Sequence, residues 1–199
     1  MPGRIIHFSI EIPGWLDWLA VKSELLYRRL RYGYAFRRIP LTQGKFAIVD
    51  LDDYDRLCEH KWFAAKGNST FYAARSIAPR KGKARRLLMH REILKVPEGM
   101  LVDHINRDGL DNRKANLRPA TDAQNAYNRK KRSGSNRSRY KGLRWDRRCQ
   151  KWRAEICADR TRMGLGLFEN EIEAAKAYDK AARQHHGEFA SLNFPDQRT

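Results

Sequence analysis

Residues 100–128 read MLVDHINRDGLDNRKANLRPATDAQNAYN, and the order of residue types in that window decides the local fold. Leu101 and Val102 deliver Asp103 and His104 on an extended segment. Arg107-Asp108-Gly109 is a turn sequence. Leu117 closes the polar loop. Thr121 or Asp122 can cap a final helix that carries Asn125 and Asn128 on neighbouring turns. One stretch thus gathers a base, a carboxylate and two amides, Asn116 and Asn125. Asp103 and His104 are adjacent on a strand, so their side chains diverge by default. Only a third element, the helix with Asn125, lets one of them hold a metal while the other faces a water.

Working upstream, Lys45–Asp50 reads as a strand and Leu51–Cys58 as a short helix with Asp52 or Asp53 at its start. Lys61–Ala65 and Thr70–Arg75 flank the turn sequence Lys66-Gly67-Asn68-Ser69 and read as a hairpin, with Trp62 and Phe71 in the core. Pro79–Arg86 is a basic loop suited to a phosphate backbone. Leu87–Leu94 resumes apolar structure, and Val96-Pro97-Glu98-Gly99 ends it. Residues 1–38 stand apart. Trp15, Leu16, Leu19, Leu26 and Leu30 recur there at helical spacing, and Arg28, Arg29 and Arg31 crowd the end that suits the helix dipole. That helix reads as packed on the domain, with pairing to another chain or contact with DNA as the alternatives.

Downstream, residues 129–139 (RKKRSGSNRSR) contain no large apolar residue, cannot build a core, and read as a flexible basic linker between two units. Tyr140–Trp145, Trp152–Cys157 and Met163–Phe168 read as three strands. Glu171–Arg183 is an Ala-rich amphipathic helix whose Ala174, Ala175, Tyr178, Ala181 and Ala182 let it lie close on a sheet. The fold class is therefore α+β, with units expected at 1–38, 39–128 and 140–195.

Lys and Arg total 41 against 23 Asp and Glu, a net charge of +18 that attracts polyanions. Cys58, Cys149 and Cys157 lack the spacing of a zinc knuckle or a disulfide framework and read as reduced thiols of a cytoplasmic protein. No apolar run reaches the ~18–20 residues that span a bilayer. Glu11 and Asp17 interrupt any signal-peptide pattern.

Hydrolysis of a DNA phosphodiester needs an attacking water, charge neutralisation at phosphate and help for the departing oxygen. A neutral histidine can take the water's proton, and a divalent ion on oxygen ligands can serve the other needs. Asp plus an amide oxygen suits Mg²⁺ or Mn²⁺. The pattern sharpens this reading. Met89-His90-Arg91, Val102–Asn106, Asp111-Asn112-Arg113, Asn116-Leu117-Arg118, Ala120-Thr121 and Gln124-Asn125 closely resemble the HNH homing endonucleases, whose site is a ββα-metal finger. The resemblance implies Asp103 and Asn125 as metal ligands, His104 as general base, Asn116 as a brace of the loop, and Met89-His90-Arg91 on an upstream strand. His90 and Arg91 could contact phosphate or support His104. Many members carry His where Asn125 stands. His60 reads as structural or exposed, and His185-His186 has no partner cluster.

Tyr140–Arg144, Trp152–Ile156, Gly164–Phe168, Glu173–Ala182 and Leu192–Pro195 resemble the AP2 DNA-binding domain. That resemblance implies a three-stranded antiparallel sheet packed on one helix, with the sheet entering the major groove. By position Arg144, Lys151, Arg153 and Arg162 are the DNA-contact candidates, with Lys141 and Arg147 next. Asp146 and Gly164 depart from the plant members, so their base preference does not transfer. Together the two resemblances imply a sequence-directed nuclease of a mobile phage or bacterial gene, acting near the nucleoid as a monomer on duplex DNA. The rivals are a non-catalytic DNA-binding regulator with a decayed HNH site, and an RNA-binding protein carried by charge alone.

Overall fold

The computed structural model describes residues 14–77, 85–131 and 138–195. Helix α1 (Gly14–Tyr32) leads into a hairpin of β1 (Arg37–Pro40) and β2 (Phe46–Val49), paired from Arg37↔Val49 to Pro40↔Phe46. β1 runs across residues 38 and 39, the expected boundary between the first two units. Helix α2 (Leu51–Cys58) follows, then a meander of β3 (Phe63–Lys66), β4 (Phe71–Ile77) and β5 (Arg85–Leu88). Small residues alternate through this sheet, and Ala73 buries itself with Ile39, Ala47, Val49, Leu57, Trp62 and Met89 in one core. The Trp62 indole N–H donates to the Leu57 carbonyl at 2.7 Å, which satisfies the one polar atom that this ring brings inside.

Two expectations change here. Phe71 is only half-buried, because the Lys45 ammonium lies over its ring at 4.2 Å and keeps that side polar. Met89-His90-Arg91 is not a strand: β5 ends at Leu88, and α3 (Met89–Ile93) begins. A strand would send Met89 and His90 to opposite faces. The helical turn buries both, Met89 in the core and His90 at the site described below.

The decisive window folds as β6 (Leu101–His104) and β7 (Leu117–Ala120), antiparallel, followed by α4 (Asp122–Asn128). Thr121 is the N-cap of α4. Its hydroxyl accepts from the Gln124 N–H at 3.2 Å, and the Gln124 amide oxygen accepts from the Thr121 N–H at 2.9 Å, a closed capping box.

The last part is a sheet of β8 (Leu143–Asp146), β9 (Lys151–Ala158) and β10 (Thr161–Phe168), in the order β10-β9-β8, packed on α5 (Glu171–His186). Ala174, Ala175, Ala181 and Ala182 bring α5 close enough for Leu143, Ala154 and Ile156 to fill the space beneath it. Gly142 makes that approach possible. Its φ is +80°, and a Cβ there would stand 1.9 Å from the Tyr178 ring.

Leu16, Leu19, Leu26 and Leu30 of α1 are exposed, so the apolar stripe is not covered by the domain. Near its end Arg28 ties the helix to the following segment, donating to the Phe36 carbonyl at 2.5 Å and lying over the Phe36 ring at 4.6 Å. The Trp15 side chain, residues 79–84 of the expected basic loop and residues 132–137 of the expected linker lie outside the described residues.

Candidate active site

β6 places Asp103 and His104 together in the interior, each 5% exposed. Their environments differ. The Asp103 carboxylate sits opposite Arg118 in the β6–β7 register, and Arg118 donates to Oδ2 through Nε at 2.9 Å and through a terminal nitrogen at 2.8 Å. Asn128, reaching in from α4, donates its amide to Oδ1 and Oδ2 at 3.0 Å each and to the His104 carbonyl at 2.8 Å. Oδ1 therefore carries one donor and Oδ2 three, which leaves acceptor capacity on Oδ1.

His104 packs edge-on against His90, ring centroids 4.9 Å apart, with Tyr72 at 5.9 Å. Burial pulls its pKa below the ordinary 6.5, although Asn112 and the nearby Asp103, Asp108 and Asp111 charges push the other way. The imidazole is thus neutral at pH 7. Asn112 is fully buried, and its amide N–H donates to the Leu110 carbonyl at 3.1 Å. That bond turns its oxygen toward His104 Nε2, at a long 3.5 Å. Nε2 then carries the ring proton, and Nδ1 is left as the basic nitrogen.

Asn116 clasps the loop between the two strands. Its amide donates to the Asp111 carbonyl at 2.8 Å and to Asn106 Oδ1 at 3.0 Å, while its oxygen accepts from the Asn106 N–H at 2.9 Å. Arg107, with φ +67°, turns the chain in this loop. The loop is further tied to β2: Ile48 N–H donates to the Leu110 carbonyl at 2.8 Å, and Asn112 N–H donates to the Ile48 carbonyl at 2.8 Å. Asp50 accepts from the Lys114 N–H at 2.7 Å.

Asn125 lies on α4 one turn before Asn128 and is half-buried; its amide has no hydrogen-bond partner among the described residues. It is Asn128, not Asn125, that touches Asp103 here. His90 Nδ1 has no hydrogen-bond partner among the described residues, and burial holds the pKa of the ring at about 3, helped by His104 and Arg91. Arg91 points away, donating to the Met100 carbonyl at 2.7 Å.

The chain belongs to the HNH endonuclease family.

The HNH endonuclease profile matches residues 88–127. An uncharacterized HNH endonuclease of Acanthamoeba polyphaga mimivirus is 29% identical over 157 residues, covering 76% of each chain. Protein 3.8 of Escherichia phage T7 is 30% identical over 95 residues, 48% of this chain and 77% of the relative. The dehydration-responsive element-binding protein 2E of Oryza sativa subsp. japonica is 49% identical over 61 residues, 30% of this chain and 19% of that protein. This HNH protein therefore also carries an AP2-like unit, and both similarities imply DNA binding.

On the AP2-like sheet, Arg144, Lys151, Arg153 and Arg162 alternate with the buried Leu143, Ala154 and Ile156 and so share the face turned away from α5. Three of them are paired: Arg153 to Asp146 at 2.6 Å, Arg144 to Glu155 at 3.1 Å and Lys151 to Glu169 at 3.3 Å. The Arg153 guanidinium holds the Asp146 carboxyl at about 2. Arg147 and Arg162 are exposed and have no partner among the described residues. Trp145 packs edge-on against Trp152 at 5.0 Å.

Lys141 departs from its expected place. Its ammonium donates to the carbonyls of Tyr127 at 2.6 Å and Arg129 at 2.7 Å, closing the end of α4, and burial lowers its pKa to about 8. A groove of about 760 Å³ runs from α4 to the sheet, bordered by Arg129, Lys130, Arg144, Arg160 and Arg162.

Sequence reasoning did not single out Arg118, Asn128 or Asn112 as members of the site. Arg118 faces Asp103 only once the two strands are paired in register, which residue type and order alone do not give. Asn128 lies three residues beyond Asn125, on the same helix face.

Proposed function

We propose that this HNH protein is a metal-dependent DNA endonuclease of the homing type, its ββα-metal site hydrolysing phosphodiester bonds in duplex DNA. The observation that carries this reading is the pairing of a buried, neutral His104 with a buried Asp103 on one short strand, the imidazole proton directed by Asn112. His104 takes a proton from the attacking water through Nδ1. Asn116 keeps the loop in the shape that presents Asp103 and His104 together.

The donor set fits a hard divalent ion: one carboxylate oxygen with acceptor capacity left, and an amide with no partner among the described residues. Asp103 and Asn125 would hold Mg²⁺ or Mn²⁺. Bound there, such an ion supplies Lewis-acid neutralisation of charge at the phosphate and at the departing 3′ oxygen.

The nuclease unit spans residues 39–128 in this reading, and the AP2-like unit, 140–195, docks on the duplex. Arg144, Arg147, Lys151, Arg153 and Arg162 supply its DNA contacts, and the basic groove carries the backbone between the two units. A second reading, a non-catalytic DNA-binding regulator, draws on one observation: Asp103 is already bonded by Arg118 and Asn128.

Cleavage of supercoiled plasmid separates the two. With Mg²⁺ or Mn²⁺ the unaltered protein yields nicked or linear product, EDTA abolishes it, and His104→Ala slows it by at least about 100-fold. Tight duplex binding with intact plasmid in every metal would establish the regulator.

A further inference from the structure

Arg118 has one polar partner on each side. Two of its N–H groups hold Asp103, while the remaining terminal nitrogen donates to the Glu188 carbonyl at 2.8 Å. Its guanidinium lies over the Phe189 ring, 3.7 Å from the centroid. Glu188 and Phe189 belong to the 3-10 turn Gly187–Phe189 that follows α5, so these contacts come from the AP2-like unit. Phe189 is 5% exposed, and a buried guanidinium between a carboxylate and a ring is fixed in direction as well as in place.

The same unit grips α4, which carries the other donor to Asp103. Tyr127 stacks on His186 at 3.8 Å and 9° between planes, and its hydroxyl accepts from the Asp159 N–H at 3.0 Å. Lys141 closes the helix end from the same side. Arg107, in the loop, donates to the Ser191 hydroxyl at 2.8 Å. Both groups that orient the Asp103 carboxylate, Arg118 and Asn128, are thus held from the C-terminal unit.

We propose that the AP2-like unit is a working part of the cutting centre as well as a DNA dock: Phe189 and the Glu188 carbonyl position Arg118, and Arg118 aims Asp103 at the divalent ion. Phe189 is a positioning residue. Partners of a ligating carboxylate set metal affinity even though they never touch the ion. This inference rests on the metal-dependent reading above.

The test uses the full chain without DNA. Mn²⁺ binding is followed by the magnetic-resonance signal of the free ion, with Asp103→Asn defining the site-specific part. Phe189→Ala and Phe189→Leu are compared with the unaltered protein; the leucine keeps apolar volume and decides the matter if the alanine variant does not fold. Both variants are expected to bind Mn²⁺ about tenfold more weakly. Duplex affinity in EDTA stays unchanged, and cleavage returns as Mn²⁺ is raised, a rescue that mere damage to the fold would not give. Unchanged or tighter Mn²⁺ binding in folded Phe189→Leu overturns the proposal, as does a cleavage loss that excess Mn²⁺ leaves in place. If the unaltered protein shows no Asp103-dependent Mn²⁺ binding, the metal reading falls and this proposal with it. If it binds and cuts while both variants match it, only the role of Phe189 falls.

Discussion

His90 is the residue whose cost to the fold is plainest. It is buried, its Nδ1 has no partner among the described residues, and it faces another histidine edge-on. Above pH 6.5 it is neutral both folded and unfolded, and contributes no pH dependence. As pH falls below 6.5 the unfolded chain takes up the proton first, because the folded side chain resists until about pH 3. Stability present above the unfolded value is therefore lost on the way down, by about 5 kcal/mol across the full window. Urea unfolding at stepped pH should show this loss, and His90→Phe should flatten the acid limb. The sequence made His90 visible as a residue of interest but not its burial, since that depends on α3 replacing the expected strand. Asp103 and His104 were legible because type and order alone mark them. Arg118 was not, because its role appears only when β6 and β7 are paired in register.

Among the elements, the three-stranded sheet and α5 were nearly complete in the sequence. Alternation marks β9, and the alanine face marks α5. What periodicity could not give is how close the two lie. That distance is set at Gly142, where the backbone is left-handed and a methyl group would meet the buried Tyr178 ring at 1.9 Å. The ring has little room to retreat, since Tyr178 is 3% exposed and packed among Leu143, Ala154 and Ile156. Gly142→Ala should destabilise the C-terminal unit by roughly 2–4 kcal/mol, combining overpacking with backbone strain. Thermal unfolding followed at the tryptophans of β8 and β9 would read it. A variant as stable as the unaltered protein would mean that α5 can shift outward.

For the molecule as a whole, the charge of +18 attracts polyanions but does not say which cations meet DNA. The structure sorts them by what they already hold. Arg162 has no partner among the described residues and lies on the sheet face, whereas Lys141 is spent on the end of α4. Arg162→Ala should weaken duplex binding and lower the slope of log affinity against log salt by about one. Lys141→Ala should leave the slope alone and lower the melting temperature. Equal slopes for Arg162→Ala and the unaltered protein would remove that arginine from the interface. Contacts between the C-terminal unit and the loop of the site are the part of the fold that the sequence shows least. Contacts such as Arg107 to Ser191 join positions 84 residues apart, and no local pattern announces them.

The seam between β2 and the loop has a practical consequence for protein engineering. The family match covers residues 88–127, yet the loop inside it leans on Ile48, Asp50 and Thr70, all upstream. Cutting out those 40 residues and grafting them onto a foreign scaffold would transfer Asp103, His104, Asn116 and Asn125 and leave behind the splint that keeps them in place. A portable cassette has to begin no later than the β1–β2 hairpin.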